Sequence, residues 1–304
     1  MKTTIPLYGD IRRQMRDRII LWLLLSFLLT VILLPGFYVG LPLLFSPSYI
    51  METGAYPWAV LGLCILWLFL KRGEVARGAA SRVSQGEKIA GAGVAGTALL
   101  LRNEAELSLL ALGVLLVFLG LYISLFGLAS HIPGVLVGVY AFSVLFPRVF
   151  TAYLEAPYSL TTVKTVASVV GLMGYPISAQ GDLISFTSVT GERLGSQIGA
   201  PSSGIASITI FVALFALMHL DFRPPWRMAL YLFLFGILGT TLQNILRLVL
   251  IILAGYHFGY EAMAMVHDYA GYVLFPLWYM AFVYIYMSFQ PRNIKNKRNE
   301  GRSP

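Results

Sequence analysis

Cysteine is almost absent. Cys64 is the only one in 304 residues, which excludes an internal disulfide and a multi-cysteine metal site. Charge is scarce too: Asp, Glu, Lys and Arg make up 12% of the chain, against 58% hydrophobic residues. Internal repeats are lacking, as is any low-complexity stretch beyond the basic tail, and a transporter would be expected to show duplicated halves. No small-residue cleavage site follows the first apolar run, from about Ile19. That run is also too long for a signal peptide, so no cleaved leader is expected. Basic residues outnumber acidic ones, 22 to 14. Such an excess can signal nucleic acid, but here it sits in short loops and tails between apolar runs. That is a membrane pattern, and no nucleic-acid partner is expected.

What is present in quantity is long apolar sequence. Several runs reach or approach the roughly 20 residues that cross a bilayer as a helix. The fold class is an all-α polytopic membrane protein with about eight transmembrane helices. The spans are predicted near 19–44 (interrupted at Pro35), 55–70, 89–101, 107–128, 133–146, 203–220, 227–256 and 269–289. Residues 1–18 then form a cytoplasmic N-terminus, 19–147 the first five helices, and 148–201 an outer-face segment. Residues 202–289 form helices six to eight, and 290–304 a basic cytoplasmic tail. Within the outer segment, turn signals at Gly181-Asp182 and Gly191-Glu192 bracket a β-branched, partly alternating stretch, so a small β-hairpin fits there.

Loop charges set the orientation. Seventeen of the 22 Lys and Arg residues fall in the N-terminus, the 71–88 loop, the 221–227 turn and the tail. Eight spans place all four segments on one side, with both termini cytoplasmic. Seven spans do not.

Ionisable residues within apolar helices raise a functional question. Arg247 stands in "TLQNILRLVLIILAG", in the outer half of the seventh helix. Gln243 lies one turn below it, with Asn244 close by. The plain reading is an arginine that snorkels to the headgroups or pairs structurally. His267 lies in "AMVHDYAGYVLF", at the outer start of the eighth helix, where a lone histidine is commonly an interfacial residue. Ser202 and Ser203, in "IGAPSSGIAS", stand at the outer start of the sixth helix. A serine there is most often an N-cap. The same place suits a nucleophile, because a helix N-terminus offers free N–H groups to an oxyanion. Charge parity, fixed without reference to these residues, brings serine, arginine and histidine to one face.

Four stretches in series carry a resemblance: "GYPISAQGDLI", "PSSGIAS", "NILRL" and "HDYAGYVLF". In order, spacing and membrane setting they resemble the G-x-P-V…G-x-x-I, C-S-G-[IL]-x-S, N-x-x-R-[IVL] and H-x-x-x-G-x-x-x-F segments of the exosortase/archaeosortase membrane transpeptidases. The resemblance covers Val135 to Phe275. It implies a membrane peptidase that cleaves C-terminal sorting tails from secreted proteins and passes the new C-terminus to a membrane lipid or lipid-linked acceptor. The family's nucleophilic cysteine falls on Ser202, its arginine on Arg247 and its histidine on His267. No metal or other cofactor is implied. Cys64 is out of register and reads as a packing residue. A serine in the first position needs a general base, because its hydroxyl does not ionise near neutral pH. His267 takes that role, and Arg247 stabilises the oxyanion or holds the substrate chain. Asp182 and Glu192 are candidate partners for the histidine. The alternatives are a relative that has lost catalysis and binds sorting tails, and a small-solute transporter. The latter would place its polar groups nearer mid-membrane.

Overall fold

A computed structural model describes residues 8–46, 49, 56–78, 83–128, 130–199 and 202–289. The N-terminal residues 1–7 and the tail from 290 lie outside the described residues. All eight apolar runs are helical. They form α1 (Tyr8–Leu33), α2 (Pro35–Gly40, continued by a 3-10 turn Leu41–Phe45), α3 (Tyr56–Leu70) and, after the short α4 (Arg72–Gly78), α5 (Gln85–Thr97, with a 3-10 turn Ala98–Leu101). There follow α6 (Leu107–Phe126), α7 (Ile132–Leu172), α8 (Ile205–Asp221), α9 (Trp226–Phe258) and α10 (Tyr260–Ser288). Four of them, α6, α7, α9 and α10, are long and apolar enough to cross a membrane. The pair Asp17–Leu33 and Pro35–Phe45, bent by 89°, adds a fifth if it is one span, and α3 and α8 are shorter apolar helices. The bend sits where Pro35, with no N–H to give, restarts the helix.

The chain divides into two compact units, residues 1–144 and 145–304. In the first, α5 and α6 pack at the closest approach a backbone allows. A Cβ on Gly91 would lie 2.4 Å from the Gly120 carbonyl oxygen, and one on Gly120 would lie 2.4 Å from the Gly91 oxygen. Small residues let two apolar helices touch in this way where the hydrophobic effect cannot drive them together. Cys64 is buried in α3, its thiol directed to the Leu136 carbonyl at 3.5 Å.

In the second unit the fifth predicted span departs from expectation. Its helix does not stop at residue 146. It runs on as α7 through Pro147 and Pro157 to Leu172, 41 residues in all. Proline removes one helix hydrogen bond, yet apolar surroundings tolerate it where neighbouring groups satisfy the freed carbonyl. The hairpin expected next is a three-stranded antiparallel sheet in sequence order: β1 (Ile177–Gln180), β2 (Leu183–Thr187) and β3 (Arg193–Gln197). Gly181 turns the first pair at φ +62°. Ile177 opposes Phe186, and Thr187 opposes Arg193. With period-two alternation, Ile184 and Phe186 of β2 enter one core with Leu194 of β3, Val163, Val166 and Val170 of α7, and Ile251 and Ile252 of α9. The polar segment is thus folded onto helix by a small hydrophobic core of its own.

Candidate active site

Three local features set the site. The first is the α9–α10 hairpin, which turns on one residue, Gly259, at φ +82°. The tip of the sheet pins this turn: Val189 N–H donates to the Tyr256 carbonyl (2.9 Å), and the Glu192 carboxylate accepts the N–H of Tyr260 (3.3 Å). Glu192 therefore caps α10 and is directed at the Tyr260 N–H instead of orienting His267. Asp182 is likewise engaged elsewhere, accepting from Gln197 at 2.9 Å. Because α10 begins at Tyr260, His267 lies about two turns inside the helix and not at its start. Its side chain is exposed.

The second feature is the start of α8. The N-cap is Gly204, at φ +88°, which has no side chain to offer. This corrects the expectation of a serine cap. Ser203 is fully buried, while Ser202 is half-buried and sits one residue before it. The Ser202 N–H donates to the Gly199 carbonyl at 3.0 Å, and the first intrahelical bond runs from Ile208 N–H to Gly204 at 3.0 Å. The N–H groups ahead of Ile208 have no carbonyl within the helix to bond.

The third is the face of α9 that carries Gln243, Asn244 and Arg247. The Asn244 amide donates to the Ser202 carbonyl at 3.3 Å. A Cβ on Gly204 would lie 2.7 Å from Asn244 Cγ, so glycine is required there by conformation and by space alike. Arg247, one turn along from Asn244, donates through Nη2 to the His267 carbonyl at 3.1 Å. Arg247 lies 12 residues before Gly259 and His267 8 after it, so the arginine backbone is roughly 6 Å further from the turn. Its long side chain closes that gap along Gly271, where an added Cβ would stand 3.6 Å from Arg247 Nε. Arg247 Nε and Asn244 Oδ1 are buried and make no hydrogen bond. The Asp268 carboxylate acts electrostatically on both Arg247 and His267.

The helices around these residues are pinned by side-chain bonds. Gln243 donates to the Leu274 carbonyl (3.2 Å), Trp278 to Thr240 Oγ1 (3.0 Å), and Tyr279 to the Ser207 carbonyl in the first turn of α8 (2.7 Å). The remaining histidines of this unit are engaged elsewhere: His257 with the Tyr175 hydroxyl (3.0 Å) and His219 with that of Tyr286 (3.4 Å). Asn244, Gly204, Gly271 and Tyr279 were not singled out as site residues. The first three stand inside the motif stretches, which was the available signal. Tyr279 carried none.

The family profile of the transmembrane exosortases (Exosortase_EpsH) matches residues 49–284, which is 236 of the 304 residues. The chain belongs to the transmembrane exosortase family. It is accordingly a multi-pass membrane protein. Neither a curated protein nor a solved structure matches it. Within the exosortase match lie all three motif-derived positions, Ser202, Arg247 and His267, together with Gly204, which seats Asn244.

Proposed function

We propose that this exosortase is an active sorting transpeptidase in which Ser202 is the nucleophile, His267 the general base and Arg247 the electrophilic partner. The observation that carries this reading is a pair of hydrogen bonds made from one face of α9: Asn244 to the Ser202 carbonyl and, one turn along, Arg247 to the His267 carbonyl. Three elements distant in sequence are thereby joined at one end of the unit. Both termini are cytoplasmic, and the site faces the outside, where tails of secreted proteins arrive.

In the first step Ser202 Oγ attacks the scissile carbonyl, and His267 takes its proton and returns it to the leaving amine. The developing oxyanion is met by N–H groups at the start of α8 and by the spare donors of Arg247, which has five N–H groups and uses one on His267. The acyl-enzyme is an ester. An amine or water completes the cycle, and the leaving tail stays in the membrane.

Ser202→Ala tests this in cells that carry a tailed substrate. Since the N-cap of α8 is Gly204 and not Ser202, the variant should accumulate normally while processing falls on the order of 10⁴-fold. Ser202→Cys should retain measurable processing. Ser203→Ala removes a buried hydroxyl and should act on folding first. Full processing by Ser202→Ala would show that Ser202 is not the nucleophile.

A further inference from the structure

A second polar feature stands beside the nucleophile loop. Thr151, Glu155 and Ser159 follow one another at i, i+4 and i+8 on a single face of α7. With Asp182 at the sheet turn and Gly199, they line a cavity of about 340 Å³. Gly199 is the residue whose carbonyl holds the Ser202 N–H, so the cavity wall is bonded directly to the proposed nucleophile. The described lining carries two carboxylates and no basic residue.

Ser159 is the observation that points to a ligand. It is 3% exposed and its hydroxyl has no hydrogen-bond partner. Elsewhere on α7 the hydroxyls of Thr161, Thr165 and Ser168 each bond back to the carbonyl four residues earlier, at 2.8 Å. Ser159 does not use the Glu155 carbonyl in this way. A buried hydroxyl left unpaired costs free energy unless something fills the site. Among the described residues no group of three or more metal-binding side chains occurs, and two carboxylates fall short of the oxygen cage a hard cation takes.

We infer that this cavity binds the primary ammonium group of the acceptor, held by Glu155 and Asp182 and donating to Ser159. The inference rests on the transpeptidase reading above. Under the same topology α7 enters at Ile132 from the cytoplasmic side, and roughly 20 residues of helix cross the hydrocarbon core. Thr151 to Ser159 then lie at the outer headgroup level. The bound ammonium loses one proton to solvent, and the amine nitrogen attacks the acyl carbon as His267 takes a second proton. The C–N bond forms, the C–Oγ bond breaks, and His267 returns its proton to Ser202. The sum is R–CO–O–Ser202 + R′NH₃⁺ → R–CO–NHR′ + Ser202–OH + H⁺.

The test uses the full chain in nanodiscs of phosphatidylglycerol doped with equal amounts of phosphatidylethanolamine and phosphatidylcholine. Lipids retained by the protein are counted by native mass spectrometry. A parallel arm titrates radiolabelled ethylammonium. The headgroups differ in N–H donors, so the wild type should retain phosphatidylethanolamine at least fivefold over phosphatidylcholine, and Glu155→Gln should bring the ratio near one. Binding of ethylammonium without lipid preference would identify a soluble amine as the source. Ser159→Ala, which carries no charge change, should weaken retention two- to fivefold and guards against misfolding of the glutamine variant. Absence of preference for either probe in the wild type, or an unchanged preference in Glu155→Gln and Asp182→Asn, would overturn the site. Retention without any processing of a tailed substrate would leave the ammonium site standing and remove the transpeptidase. Processing that yields only the free acid, with no retention, would overturn the ammonium site and leave the Ser202 acyl-enzyme standing as a hydrolase.

Discussion

Both units use glycine to bring helices together, but for different ends. In the first, Gly91 and Gly120 bring backbone against backbone, and what results is a tight apolar pair, α5 on α6. In the second, Gly204 makes room for a polar side chain, Asn244. The cavities differ in the same sense. That of the first unit, about 320 Å³, is walled by Trp22, Cys64, Phe118 and Tyr122 among other apolar groups, with Arg72 at its edge. That of the second holds two carboxylates and an unpaired hydroxyl. Close approach in a membrane protein is therefore not a mark of function in itself. What approaches the glycine decides it.

The sharpest way to break this comparison is Gly204→Ala. The added methyl would collide with Asn244, and the left-handed backbone would cost of the order of 1–3 kcal/mol besides. Because the site is distorted before the fold is lost, processing per folded molecule should drop by 100-fold or more. The amount of protein in the membrane should change by less than half. Equal losses in both would make Gly204 a packing residue like Gly91.

That glycine also shows what could be read from sequence. The helical class, the break at Pro35 and the sheet turns at Gly181 and Gly191 follow from hydropathy and turn chemistry, and the structure has them. The third strand, the run of α7 through two prolines and the early start of α10 did not. In each case tertiary contact overrode a local signal: Leu194 completes a core, and Glu192 caps a helix 68 residues away. The candidate site was read as motif positions, Ser202, Arg247 and His267. Asn244 was passed over because its role depends on a carbonyl 42 residues back in the chain, and no spacing rule reports such a contact.

Asn244→Asp sharpens the comparison at the level of one hydrogen bond. The shape is kept, but the donor to the Ser202 carbonyl becomes an acceptor facing an acceptor. Processing should fall 10- to 100-fold through kcat, with substrate retention little changed, if Asn244 holds the loop of the proposed nucleophile through the Ser202 carbonyl. Asn244→Ala should fall less, because it introduces no repulsion. A larger loss in Asn244→Ala would show that the buried Oδ1 matters more than the bond.

Gly91→Leu is the counterpart in the first unit. Overpacking a close helix contact costs about 1–3 kcal/mol. The yield of folded protein in the membrane should fall severalfold, and processing per folded molecule should stay within twofold of wild type. A selective loss of processing would mean that the α5–α6 contact contributes to the site, and the contrast between the units would fail.

The smallest expected effect concerns a pair of capping carboxylates. Glu87, just ahead of the apolar stretch of α5, forms a capping box with Ser84 and also accepts the Leu128 N–H beyond the end of α6, at 2.8 Å. Glu192 caps α10 with one longer bond, 3.3 Å. The Leu128 N–H, followed by the N–H and hydroxyl of Ser84, holds the Glu87 carboxyl below its ordinary value of 4.5. A carboxylate depressed by folding contributes stability that is present above its unfolded pKa and lost as pH falls through its folded pKa. Glu87→Gln should thus melt slightly earlier than wild type at pH 7, and the gap should close below about pH 4.5 as the wild-type carboxyl takes up its proton. Glu192→Gln should show a smaller gap at neutral pH. A Glu87 gap that stays constant from pH 7 to pH 3, or widens toward acid, would mean that the carboxylate's charge is not what joins α5 to α6.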